Sequence, residues 1–152
     1  MQNFASVPTY RDAIRDRGEI WAAGGRSSTS YVDVRDVGAA AVKVLTGEGH
    51  AGKAYTLTGP VSLDLDQVAG IMSRVFGRSI RYVRPSLLGF IRHARRSGAG
   101  WPLAIVMTMI GLIARSGLPR SVDPTLKRLL SREPHRFEEF VQDYAASWRP
   151  AA

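Results

Sequence analysis

Five tyrosines, three histidines and a scatter of serines are the side chains of this 152-residue chain that could move a proton or attack an electrophile. Tyrosine-based proton transfer in dehydrogenases relies on a lysine one helical turn on, which holds the phenol near its working range. That pair is absent: Tyr10, Tyr31, Tyr55, Tyr82 and Tyr144 are followed at this spacing by Ile14, Arg35, Gly59, Ser86 and Trp148. His50, His93 and His135 lie far apart, with no HxxxH or carboxylate-helix spacing, so no metal ligand set is expected and each reads as a surface or loop histidine. No serine sits in a GxSxG elbow, and the absence of cysteine excludes thiol catalysis and a disulfide framework. Gly47, Gly49 and Gly52 spell GxGxxG. A dinucleotide turn must follow a strand and open a helix, whereas these glycines follow a helical pattern and lead into a strand-like one, so no phosphate role is expected for them.

The elements that would position any site are readable from caps and periodicity. Met1 to Phe4 reads as a strand exit, followed by a helical stretch around Tyr10 to Asp16 that Gly18 can end. Ile20 to Ala22 is a candidate short strand, and Gly24 to Ser30 a polar loop. Asp33 caps the next helix with Asp36 at its third position, and Val37, Ala40, Ala41, Val44 and Leu45 share one face. Ala54 to Thr58 alternates like a strand and stops at Gly59-Pro60. Asp64 with Gln67 forms a capping box ahead of the stripe Leu65, Val68, Ala69, Ile71, Met72, Val75 and Phe76, which Gly77 ends. Ile80 to Val83 is a strand closed by Pro85, Ser86 starts a helix with Arg92, Arg95 and Arg96 near its end, and Asp123-Pro124 starts a short one. Phe137, Phe140, Val141, Tyr144, Ala145 and Trp148 stripe the last helix.

Charge is distributed unevenly. The chain carries +8, yet no acidic residue lies between Asp66 and Asp123, where nine arginines run from Arg74 to Arg120. Such a field attracts phosphorylated cofactors, acidic partners, nucleic acid or anionic lipid without choosing among them, and nothing matches a specific nucleic-acid module. Within this block Pro102 to Ala114 is uncharged and apolar. Roughly fourteen helical residues reach about 21 Å, short of the ~30 Å hydrocarbon core, so the reading is a helix packed across a pocket rather than a transmembrane span. Trp101, Met107 and Met109 would supply its adaptable apolar surface.

Taken together, MQNF at the start, YVDVRDVGAAAVKVL, AGKAYTLTGP, DLDQVAGIMSRVFGRSIRYV and RFEEFVQDYA resemble the C-terminal half of NmrA-like proteins, atypical relatives of the short-chain dehydrogenases/reductases. The resemblance covers nearly all of the chain, and its weakest stretch is Arg92 to Arg120. It implies an α/β fold: the C-terminal portion of a Rossmann-type extended or atypical short-chain dehydrogenase, helix-rich with a few short strands and without the N-terminal dinucleotide-binding half. Residues 1–152 would form one partial domain, the substrate-binding lobe. Met1, Gln2, Asn3 and Phe4 match the loop that lines the cofactor and substrate cleft, and are the candidate site residues. No catalytic, cofactor-binding or metal-binding residue is assigned. Arg136 replaces the cap that often precedes the Phe-Glu-Glu-Phe helix. Met1 also falls where relatives carry an internal methionine, so a start placed within a longer frame is expected, with GxxGxxG-bearing sequence upstream.

The resemblance implies NAD(P)H as the family's cofactor, with none expected to bind this chain alone because the GxxGxxG turn is not in its sequence. The implied function is the C-terminal lobe of an NAD(P)H-dependent oxidoreductase acting on a quinone, azo compound or other small electrophile, in the cytoplasm, inactive by itself. The alternative is a non-enzymatic, nucleotide-sensing or protein-binding module whose arginines meet an acidic partner. Self-association is a further expectation, since helices that bury their stripes against a sheet would here leave apolar surface uncovered. Peripheral membrane contact through the arginine-flanked apolar run is a third reading.

Overall fold

The computed structural model describes residues 1–149. The chain opens with a single helical turn, α1 (Asn3–Ser6), instead of the extended strand exit that its sequence suggests. The N–H groups of Phe4, Ala5 and Ser6 find carbonyls of Met1 and Gln2, and Pro8 then forces Val7 into an extended conformation that ends the turn. The same proline starts α2 (Pro8–Arg17), which Gly18 terminates in the left-handed conformation at φ 64°. Next come the strand β1 (Glu19–Ile20), α3 (Val34–Thr46), α4 (Leu65–Phe76), the strand β2 (Arg81–Tyr82), α5 (Leu87–Arg96), α6 (Trp101–Arg115), α7 (Thr125–Leu130) and α8 (Phe137–Asp143).

The strands β1 and β2 pair in parallel, Glu19 opposite Arg81 and Ile20 opposite Tyr82, with α3 and α4 in the crossover between them. Parallel pairing demands such a long connection, and this is the reduced remnant of a βαβ arrangement. The main core gathers around it. Ile14, Ile20, Val68, Met72, Phe140 and Val141 are fully buried, with Phe4, Tyr82, Phe137 and Trp148 closing the edges. Smaller clusters join α3 to α7 through Ala40, Leu126 and Leu130, and α5 to α6 through Ala94, Ala99 and Ala104.

Caps behave as the sequence dictates. The Asp33 carboxylate accepts the Arg35 N–H, Asp64 and Gln67 complete a reciprocal box at 2.7 and 2.9 Å, and Ser86 accepts from Gly89. At α8 the donor-only side chain of Arg136 supplies no cap, and only the reverse bond forms, from the Arg136 N–H to Glu139 at 2.6 Å. Two expectations fail for want of a partner. Ala54 to Thr58 makes no ladder among the described residues because no strand lies beside it. On α3, Ala40 is buried but Ala41 and Leu45 are exposed, since α7 covers only one edge of the apolar face.

Asp36 does more than begin a helix. It has no solvent exposure and accepts from the Arg132 guanidinium at 2.8 Å, the His135 backbone at 2.7 Å and the His135 ring at 2.8 Å. One side chain thereby fixes the segment that leads into α8, almost a hundred residues away in the chain. Removing one member of a buried, charge-assisted set leaves the others desolvated without partners. Asp36→Ala is therefore expected to lower the unfolding free energy in urea by about 3 kcal/mol, and a change below about 0.5 kcal/mol would contradict this role.

Candidate functional site

A cavity of about 350 Å³ lies between the start of the chain, the loop after β1 and the helix α6. Its walls are mostly apolar: Met1, Phe4, Tyr10, Ala22, Ala23, Tyr31, Leu65, Ile110, Gly111, Ile113 and Ala114. Polar groups come from Asn3, Ser27, Thr29 and the two tyrosines. That volume and mixture suit a small, flat, apolar ligand oriented by a few hydrogen bonds.

Each wall has a local cause. The loop Ala22 to Gly24 is pinned from both sides, its Ala22 carbonyl accepting the Tyr82 hydroxyl at 3.0 Å and its Ala23 carbonyl accepting Arg115 Nε at 2.6 Å. Helix α6 meets this loop at Gly111, where an added Cβ would sit 2.4 Å from Ala23 Cβ, so only glycine permits the approach. Tyr31 is held at the opposite wall by the backbone crossing at Gly59, whose absent Cβ would fall 1.8 Å from the Tyr31 carbonyl. Phe4 packs edge-on against Tyr31 and Phe137, and its carbonyl accepts the Trp148 indole N–H at 3.2 Å.

Of the four residues singled out from the sequence, Met1, Asn3 and Phe4 are on the cavity wall. Gln2 turns the other way: its amide donates to Asp33 at 3.0 Å and accepts the Val34 N–H at 3.1 Å, latching the opening turn onto α3. The apolar run from Pro102 to Ala114 does cross the cavity as a helix, but its lining residues are Ile110, Gly111, Ile113 and Ala114 and not the expected Trp101, Met107 and Met109, because the helix approaches through Gly111. Sequence reasoning does not single out Tyr10, which reaches the cavity through tertiary packing. Burial pushes the Tyr10 phenol up to about 12 and raises Tyr31 as well, so near neutral pH both rings keep their protons. They can donate a hydrogen bond to a ligand; neither is a base.

Asp33 lies behind this wall with no solvent exposure. Burial pushes its carboxyl up, but bonds from the Arg35 side chain and backbone and from Gln2 outweigh burial and hold it at about 2. Arg35 in turn bridges to Asp143 on α8 at 2.7 Å. A second hollow lies elsewhere, between α2 and α5, lined by Arg17, Trp21, Arg92, His93 and Arg96. There His93 is neither a loop nor a free surface group: it is half-buried on α5, stacked on Trp21 at 4.3 Å, and burial lowers its pKa.

The described residues do not fit a dinucleotide. Its pyrophosphate needs free N–H groups at a glycine-rich step from strand to helix. At the step from β2 to α5 stands Pro85, and the Ser86 hydroxyl already accepts the Gly89 N–H. Gly47 follows α3 and enters a turn, so the GxGxxG there faces no helix start. Among the described residues no group of three or more His, Asp or Glu side chains could hold a metal ion, and no helix is long and apolar enough to cross a membrane.

The parallel strand pair, the crossover helices and an apolar cavity beneath a late helix define the C-terminal portion of a Rossmann-type reductase fold. Solved structures agree: the NADP(H)-bound triphenylmethane reductase of Citrobacter sp. superposes with a TM-score of 0.83 at 24% identity, over 90% of this chain and 48% of that one. The NADPH-bound quinone oxidoreductase of Escherichia coli superposes with a TM-score of 0.82 at 25% identity, over 88% and 47%. The NAD(P)H azoreductase of Xenophilus azovorans is 34% identical over 146 residues, covering 93% of this chain and 50% of its own length. The (4-alkanoyl-5-oxo-2,5-dihydrofuran-3-yl)methyl phosphate reductase of Streptomyces griseus is 31% identical over 142 residues, covering 93% of this chain and 50% of that protein. The chain matches the C-terminal half of NmrA-like reductases, atypical short-chain dehydrogenases/reductases, in both sequence and fold. It spans about half the length of the curated relatives that it matches, and no family model matches it.

The depressed carboxyl of Asp33 makes a pH prediction. A folded-state pKa below the ordinary 3.8 adds stability that is fully present above pH 4 and is lost as pH falls toward 2. Unfolding free energy should drop by about 2 kcal/mol across that window. Asp33→Asn should remove this part of the acid dependence, and an unchanged acid limb in the variant would contradict the assignment.

Proposed function

We propose that residues 1–152 form the substrate-binding lobe of an NAD(P)H-dependent reductase whose substrate is a small, flat, apolar electrophile such as a quinone or an azo compound. The observation that carries this reading is the cavity: about 350 Å³, apolar walls, and two protonated tyrosines among its few polar groups. A quinone or azo group is planar and presents acceptor atoms, which a phenol can engage while the ring system occupies the apolar space. Met1, Asn3 and Phe4 would border the reacting end of the ligand, with Gln2 keeping that turn in place through Asp33.

In this reading hydride chemistry belongs to NAD(P)H, and the lobe's residues supply shape, exclusion of water and a hydrogen-bond donor. Relatives with solved structures hold NADPH or NADP(H), which supports that cofactor for the whole protein. Among the described residues no strand-to-helix step fits the pyrophosphate, which supports a lobe that does not turn over by itself. The second reading, a nucleotide-sensing or partner-binding module, finds no specific support in the cavity.

Calorimetric titration of the purified chain tests the proposal. Menadione, a simple apolar quinone, should bind saturably at micromolar concentration, while NADPH should show no saturable binding below about 1 mM. Ile110→Asp places a charge on the cavity wall at a position 56% exposed, so folding survives, and it should weaken quinone binding at least tenfold. Micromolar NADPH affinity, or quinone binding indifferent to Ile110→Asp, would overturn the proposal.

A further inference from the structure

Most of the polar groups around the cavity are already engaged. The Ser27 hydroxyl donates to the Gly24 carbonyl at 2.7 Å, and Tyr31 and Thr29 share a hydrogen bond with each other. Tyr82, which holds the neighbouring loop, donates its hydroxyl proton to the Ala22 carbonyl at 3.0 Å. Asn3 is exposed, so water already serves its amide. The Tyr10 hydroxyl differs from all of these. Among the described residues no group bonds to it, and it is not one of the oxygens sealed in the core: it opens onto the cavity that its ring helps to line.

Packing fixes where that hydroxyl stands. Tyr10 lies in the first turn of α2, where its N–H donates to the Val7 carbonyl at 3.0 Å. Its ring centre is 5.8 Å from that of Phe4 on one side, and on the other the ring packs against the cluster of Ala23, Phe90 and Met107. A ring wedged between two apolar groups has little rotamer freedom, so its donor is preorganised. Burial pushes the phenol up to about 12, so it presents a proton and not a charge, and among the described residues no charged side chain lines the cavity. A partly buried donor of this kind has lost water and regains a bond only when a ligand brings an acceptor. A hydrocarbon of suitable shape fills the space and leaves the phenol unbonded, whereas a carbonyl oxygen or an azo nitrogen completes it.

We propose that Tyr10 is the specificity-determining residue of the cavity: its hydroxyl selects neutral, flat ligands that carry an acceptor atom over hydrocarbons of the same shape. This assignment rests on the reading of the cavity as a substrate site and places the selection within it on one side chain. A phenol raised above its ordinary range is a weak acid, so the hydroxyl orients the ligand and does not transfer its proton.

Paired calorimetric titrations of the full chain with menadione and 2-methylnaphthalene, which share a fused-ring shape and differ in two carbonyls, test it. Tyr10→Phe should weaken menadione binding by about fivefold or more while 2-methylnaphthalene affinity changes by less than about twofold. Because the lost hydroxyl has no partner in the protein, the unfolding midpoint of the variant should not fall. Equal loss of both ligands would mean that the substitution damages the cavity and not a bond, and would overturn the assignment. A lowered midpoint would reveal a structural partner for the hydroxyl and would contradict it as well. Failure of the wild-type chain to bind menadione would sink the cavity reading, and the assignment with it. Menadione binding that is weakened by Ile110→Asp but kept in Tyr10→Phe would sink the assignment alone.

Discussion

Two carboxylates buried in the first turn of α3 hold this molecule in its working shape. Asp33 gathers Arg35 and Gln2, and through Arg35 reaches Asp143; Asp36 gathers Arg132 and His135. The opening turn, the segment before α8 and α8 itself are thus all referred to one helix end. The parallel pair is only two residues long on each strand and cannot serve as the frame that a full sheet would provide. Removing ions from water is costly, so such pairs are poor sources of net stability, but partners separated by about a hundred residues give them geometric selectivity. They fix where Met1, Phe4 and Phe137 lie, and so fix one wall of the cavity.

The opposite wall depends on a close contact, not on charge. Gly111 lets α6 touch the loop at Ala23, and Arg115 ties the same helix back to that loop and to the Pro85 carbonyl. A helix that approaches through its small residues leaves its large ones outward. The same sequence choice therefore produces both the cavity wall of Ile110 and Ile113 and the exposed stripe of Ile105 and Met109.

Local features of this fold are legible in the sequence because their chemistry is complete within a few residues. The caps at Asp33, Asp64 and Ser86, the left-handed ends at Gly18 and Gly77, and the stripe of α4 all belong to this class. Features that need a distant partner are not legible. Asp36 has the sequence signature of a helix-start residue, and only the arrival of Arg132 and His135 makes it a hub. Gly59 and Gly111 carry no motif; their necessity lies in backbones that cross from elsewhere. Ala54 to Thr58 has a strand's alternation without a neighbour to pair with, and the opening turn takes a helical form because Pro8 sets its boundary. Of the cavity wall, a helix over Pro102 to Ala114 laid across a pocket is legible as an apolar run, and Met1, Asn3 and Phe4 belong to the MQNF turn, while Tyr10 and the particular α6 residues that line the space are set by tertiary contact.

Under the proposed function the space between Tyr10, Tyr31 and α6 receives a flat apolar electrophile. Nuclear Overhauser contacts from a bound quinone to assigned side chains measure this directly. Contacts to Tyr10, Ile110 and Ile113 are expected, with the outer-face protons of Ile105 and Met109 silent. Contacts confined to Ile105 and Met109, or to the hollow of Trp21 and His93, would contradict it.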